Sequence, residues 1–241
     1  GEAGYQPELL QAGWRVKIWP IFKVKTFPRV QIPMGAIGVV ISQVGEPLNP
    51  GAKTAEYKDE MGNFSDLKAF ISLGGQQGVQ RPVLQPGATV PIHPIAFLVV
   101  TKDATFGKPL SKDAKDLAVA LSSDQLSVTK IIPTKDGKDV VGVVTVLDGP
   151  ALPSGDFACR LGGFDDIASA EKEEVSGGAV IQKILSSKND LHNNYQNFQD
   201  FLAAGGSMGL QHDPLLYGTY VLNPYLVNVE IVPMLVVEQG Q

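Results

Sequence analysis

The chain has 241 residues, 44% of them hydrophobic, enough to bury one large core or two ordinary ones. A formal net charge of -5, from 20 Lys and Arg against 25 Asp and Glu, excludes the dense basic face that nucleic acid requires, so no nucleic-acid partner is expected. The single cysteine, Cys159, excludes an internal disulfide framework and a CxxC metal site, and no run of 18 apolar residues offers a membrane-spanning helix.

The start, "GEAGYQ", lacks the charged and apolar regions of a signal peptide, so a membrane anchor, if one serves this protein, is expected outside this chain. Against the acidic whole, the first thirty residues are locally basic: Arg15, Lys17, Lys23, Lys25 and Arg29 outnumber Glu2 and Glu8. Within "GWRVKIWPIFKVK" the aromatics Trp14, Trp19 and Phe22 interleave with Arg15, Lys17 and Lys23. Indole rings and cations both find partners in the lipid headgroup region, so Trp14, Arg15, Lys17, Trp19, Phe22, Lys23 and Lys25 form a candidate membrane-proximal segment; an amphipathic strand is the plainer alternative.

The middle of the chain writes one skeleton twice. "IGVVISQVGEPLNPG", from Ile37, aligns without a gap to "VGVVTVLDGPALPSG", from Val141, placing Gly38 on Gly142, Leu48 on Leu152 and Gly51 on Gly155 at an offset of 104 (142 - 38). "GGQQGVQRPVLQPG", from Gly74, aligns to "GGSMGLQHDPLLYG", from Gly205, at an offset of 131 (205 - 74), so the second copy carries about 27 extra residues around "FDDIASAEKEEVSGGAVIQKILSSKND". "GYQPELLQAG", from Gly4, is a third and shorter version. The β-branched runs "IGVV", "VGVVTV", "PIAFLVV" and "YLVNVEIV" predict strands. Phe64, Leu67, Phe70 and Ile71, facing Tyr195, Phe198, Phe201 and Leu202, predict a short helix with one buried face in each copy, with Asn63 and Asn194 as N-caps and the Gly pair closing it. Gly75, Gly78 and Gly87, with Gly206, Gly209 and Gly218, are expected to set the turns from helix to strand. Within the insertion, Val180, Ile181, Ile184 and Leu185 predict a helix over Ala179 to Ser186 that copy one lacks.

The fold class is therefore α+β, with tandem β-rich domains and short helices. The expected division is residues 1–27 as the tail of a preceding unit, 28–100 as copy one, 101–127 as a polar, partly helical linker, 128–229 as copy two, and 230–241 as the start of a further unit, because "IVPMLVVEQGQ" echoes the opening "VQIPMGAIGVV".

Little in the chain points to catalysis. The two GGxxG segments follow predicted helices instead of strands and lack the Lys and Ser/Thr of a phosphate loop. His93, His192 and His212 show no metal-ligand spacing and read as turn or surface residues. Cys159 beside Phe157 and Ala158 reads as a small buried side chain, and the pairs Asp165/Asp166 and Glu173/Glu174 as solvated surface. No enzyme activity, cofactor or metal is expected.

Taken together, "VQIPMGAIGVV", "NFSDLKAFISLGGQQGVQRPVLQPG", "LHNNYQNFQDFLAAGGSMGLQHDPLLYGTYVLN" and "VEIVPMLVVEQGQ" resemble bacterial flotillin-like proteins of the SPFH group (stomatin, prohibitin, flotillin; also called band 7). The resemblance extends over nearly the whole chain. It implies SPFH domains in a non-enzymatic scaffold at the cell membrane, assembling with many copies of itself into a ring or cage and organising a membrane microdomain and its partner proteins, membrane proteases among them. A soluble repeat module that grips a peptide or sugar is the alternative expectation.

Overall fold

The computed structural model describes residues 4–16, 21–122, 125–134, 137–165, 169 and 185–235. The fold is α+β, and its contacts divide it into two compact units, Gly1–Leu126 and Ser127–Gln241.

In the first unit, β1 (Val30–Gln31), β2 (Gly38–Ser42), α1 (Leu67–Ser72), β3 (Gly78–Leu84), β4 (Thr89–Val90), β5 (Phe97–Val100), β6 (Thr105–Phe106) and α2 (Lys112–Leu121) follow one another. The main sheet is antiparallel in the order β3-β2-β5-β6, and β1 pairs with β4. β2 is buried along its whole length because the sheet is covered on both faces. One face carries Val40, Leu84, Phe97 and Val99 into a core with Phe64 and Phe70. Val39, Ile41, Leu98 and Val100 alternate to the other face and are also buried, and Ala118 and Leu121 of α2 are buried with them. Segment 101–126 therefore contributes an edge strand and a helix to this unit, its polar residues lying on the outer side of α2. Ser111 caps that helix by accepting from the Ala114 N–H at 3.0 Å.

The second unit runs β7 (Thr129–Ile131), β8 (Val140–Val146), α3 (Phe198–Ala203), β9 (Gly209–Leu210), β10 (Gly218–Tyr220) and β11 (Val227–Pro233). Its main sheet has the order β11-β8-β9, and β10 pairs with β7. β11 continues through Pro233, so residues 230–233 complete this sheet.

The two units repeat each other down to the register. Ile41 faces Val79 and Ser42 faces Gly78 in the first; Thr145 faces Leu210 and Val146 faces Gly209 in the second. The shift of register that follows, bringing Gly38 opposite Leu84, recurs as Gly142 opposite Leu215. Even the isolated parallel bridge of Ala55 with Gln80 returns as Cys159 with Gln211. The buried Gln80 amide donates to the carbonyls of Gln76 and Gly78, and Gln211 donates in the same way to Ser207 and Gly209. A repeated glutamine thus satisfies the backbone of each glycine loop, where a buried orphan carbonyl would cost on the order of 1–3 kcal/mol.

The short helices fall where the stripe predicted, but their starts differ from expectation. The caps are Asp66, which accepts from Ala69 N–H, and Asn197, which accepts from Asp200 N–H. Asn63 and Asn194, the expected caps, stand three residues earlier in a left-handed turn: Gly62, Asn63 and Phe64 have φ of 65°, 51° and 63°, and Asn193, Asn194 and Tyr195 have 47°, 55° and 62°. Asparagine tolerates this region by local hydrogen bonding, whereas an aromatic residue does so only when packing compels it. Here the turn drives the Phe64 and Tyr195 rings into equivalent core positions, against Phe70 and Phe201 at 6.4 and 5.5 Å between centroids. Phe64 accordingly precedes the helix, and Ile71, expected on its buried face, is 51% exposed; six residues bury only the Leu67 and Phe70 side.

The glycines divide by task. Gly78 and Gly209 take φ of 98° and 108° at the strand entry, as a turn demands. Gly75 and Gly206 instead leave room for a ring: a Cβ there would lie 2.5 Å from Phe70 or 2.4 Å from Phe201. Gly87 sits in the turn before β4 at φ 76°, while Gly218 lies inside β10 under the Tyr220 ring.

Of the helix expected over Ala179 to Ser186, residues 179–184 lie outside those described. Leu185 and Ser186 form a turn, with Ser186 at φ 62°, so no helix extends through them.

Candidate functional site

Residues 4–16 and 21–29 form neither helix nor strand, because Pro7, Gly13 and Pro28 interrupt any helix and no strand among the described residues pairs with the segment. The amphipathic-strand alternative therefore fails for the described part. Hydrogen bonds tie the segment to the first unit at a few points: Glu8 pairs with Lys68, and the Gln6 carbonyl meets His93 Nε2 at 3.0 Å. Lys25 donates to the Tyr5 hydroxyl at 3.1 Å and lies over its ring, which lowers the Tyr5 pKa chiefly through that hydrogen bond. Arg29 donates to Gln11 at 3.2 Å.

Between these ties the segment is apolar and open to water. Trp14 and Val16 are essentially fully exposed, and Ile21, Phe22 and Val24 are exposed alongside Arg15, Lys23 and Lys25. Lys17 and Trp19 lie outside the described residues. Exposed indole and aliphatic side chains beside cations suit an interface with an apolar interior and an anionic surface.

His93 and His192 are buried, and His93 stands in a turn as expected. His93 Nδ1 accepts from the Ile95 and Ala96 N–H groups at 3.3 and 3.1 Å, closing the turn into β5. Asn223 occupies the matching turn before β11, accepting from Tyr225 N–H at 3.0 Å. His192 is buried against Tyr195 and Phe201, and its Nδ1 accepts from Tyr195 N–H at 2.8 Å. Burial holds its pKa down at about 4, with Asp200 opposing weakly. The Tyr195 phenol, donating to the Asp213 carbonyl at 2.9 Å, is pushed far up by burial and then by the Asp213 charge. His212 is half-buried, its ring edge-on to Phe164.

Cys159 is half-buried, and its Sγ accepts from Ser207 N–H at 3.4 Å. Among the described residues no three of His, Cys, Asp and Glu gather as a metal-ligand set. Asp166, Glu173 and Glu174 lie outside them, and Asp165 is exposed at the insertion's entrance. No helix among the described residues is long and apolar enough to cross a membrane.

Sequence reasoning passed over one charged cluster. Arg160, with its guanidinium buried, stands 3.6 Å from the Asp213 carboxylate, donates to Gly163 O at 2.7 Å and Ser187 Oγ at 3.2 Å, and lies over the Phe164 ring at 5.6 Å. It thereby pins both ends of the insertion to the unit. A signal was present: copy one has Glu56 and Pro82 at the two matching positions, so the opposite charges enter copy two together with the insertion.

No family model, no curated protein and no solved structure matches the chain.

Proposed function

We propose that this chain is a non-enzymatic scaffold subunit that attaches to a membrane through its N-terminal segment and associates with further copies of itself into a ring or cage, as the resemblance to the SPFH group implies. The observation that carries the reading is the exposed set Trp14, Val16, Ile21, Phe22 and Val24 beside Arg15, Lys23 and Lys25, in a segment with no strand partner among the described residues. Each basic residue near an anionic surface gains on the order of 1 kcal/mol. The net charge of -5 favours an approach by this segment over one by the whole surface. The duplicated unit supports the scaffold half of the reading, since like units present like lateral surfaces, and a ring requires a heterologous contact that closes. Partner proteins would be held by the assembly instead of processed by it.

Co-sedimentation with vesicles containing phosphatidylserine tests the attachment. The wild-type chain should bind at low salt and release as salt rises, and replacing Arg15, Lys17, Lys23 and Lys25 by Gln should abolish binding. Equal binding by both proteins, or no salt-sensitive binding by the wild type, would overturn the reading.

A further inference from the structure

The repeat supplies its own control for one difference between the units: the outer edge of the third strand. In the first unit β5 is closed on that side by β6, with Val99 opposite Phe106 and Val100 opposite Thr105. The Gln43 side chain fixes the segment that follows, donating to the Ile95 and Lys108 carbonyls at 2.9 and 3.0 Å and accepting from Leu110 N–H at 2.7 Å. In the second unit the matching strand is β11, and among the described residues it has no strand on its outer edge. Leu147 replaces Gln43 and has no amide with which to fasten a cover.

The hydrogen-bond phase of β11 is fixed by its ends. Leu147 N–H donates to Leu226 O at 2.8 Å and Met234 N–H to Asp139 O at 2.9 Å, so even-numbered residues of β11 bond to β8 and odd-numbered ones face outward. The Val227 N–H is already used by Asn223 O, and Pro233 has no N–H. The Val227 carbonyl and both backbone groups of Val229 and Ile231 remain on the open edge, beside an Ile231 side chain that is 48% exposed. Such an edge is a template for another strand.

We infer that this edge pairs antiparallel with the same edge of a second copy, about a two-fold axis at Val229. The self-complementary order of Val227, Asn228, Val229, Glu230 and Ile231 selects a second copy as the occupant, and the like charge of two Glu230 side chains disfavours a shifted register. With Val229 opposite Val229, Ile231 falls opposite Val227 and Glu230 opposite Asn228, so each carboxylate meets an amide, and about four main-chain hydrogen bonds form. Sliding the axis to residue 230 would oppose Glu230 to Glu230. The contact is isologous and would be additional to any ring-closing contact. It rests on the proposed function only in expecting more than one copy.

The test uses the full chain with Cys159→Ala as background, carrying Asn228→Cys or Glu230→Cys. Both positions are exposed, so circular dichroism should be unchanged. Under mild oxidation, mixing the two variants should give a disulfide-linked band at twice the chain mass, at least several-fold above either variant alone. No linked band in the mixture, or equal bands in the single variants, would overturn the pairing. Independently, Asn228→Glu should raise the dimer Kd on the order of tenfold and Asn228→Lys should lower it; unchanged dissociation in sedimentation would likewise overturn it. Vesicle binding or a larger assembly that persists without the cross-link would leave the scaffold reading standing and remove this edge alone.

Discussion

Acid should weaken the second unit through His192. Its position corresponds to Met61, and both side chains are buried just before the left-handed turn. The fold holds the His192 ring neutral, because burial penalises the cation and because Nδ1 must stay unprotonated to accept from Tyr195 N–H. With a folded pKa of about 4 against 6.5 for the free side chain, the full contribution is present above pH 6.5. As pH falls from 6.5 toward 4, the unfolded chain takes up a proton that the folded unit refuses, and stability declines by at most about 1.4 kcal/mol per pH unit. The total loss is at most about 3.4 kcal/mol, less wherever water reaches the ring. His192→Met, which installs the first unit's residue, should remove this slope. At pH 7.5 the variant leaves Tyr195 N–H without its acceptor, a cost of about 1–3 kcal/mol that apolar packing partly offsets, so it should be no more stable than the wild type. At pH 4.5 it should be the more stable of the two. Hydrogen exchange read by mass spectrometry on peptides spanning α3 and, as internal control, α1 would follow both units in one sample. Parallel pH profiles for wild type and variant across pH 7.5–4.5 would refute the assignment to His192.

Two further perturbations probe packing. Gly142→Ala would place a Cβ 2.5 Å from Ile131 Cδ1 and 2.8 Å from Val229 Cγ1, so the second unit should lose about 1–3 kcal/mol in urea denaturation; Gly38→Ala, 2.6 Å from Ile32 Cδ1, should do the same to the first. Arg160→Met removes the cation 3.6 Å from the buried Asp213 carboxylate and should cost about 3–5 kcal/mol, while the double variant with Asp213→Leu should recover most of it by the same measure.

The sequence by itself determined the duplication, because gapless spacing of Gly, Leu and aromatic residues survives in any two copies that share a register. It also determined the strands, since "IGVV" and "VGVVTV" are β-branched, and the position of the short helices, since Leu67/Phe70 and Phe198/Phe201 recur at helical spacing. Tertiary structure chose among local options that the sequence left equivalent. Asn63 is the cap the sequence suggests, but Asp66 caps the helix because burying Phe64 requires the preceding residues to turn left-handed. His192 reads as polar, yet it occupies the place of Met61, because a ring accepting one backbone N–H can be buried almost as an apolar side chain is. Similarly, β5 and β11 are both expected as strands, but among the described residues only β5 has a strand, β6, along its outer edge, and the residues facing away from the common core also differ: Leu98 and Val100 in one unit, Asn228 and Glu230 in the other. The alternation in VNVEIV already marks one face of β11 as open, but what lies along a strand's edge depends on elements distant along the chain, so pattern along one strand cannot decide that.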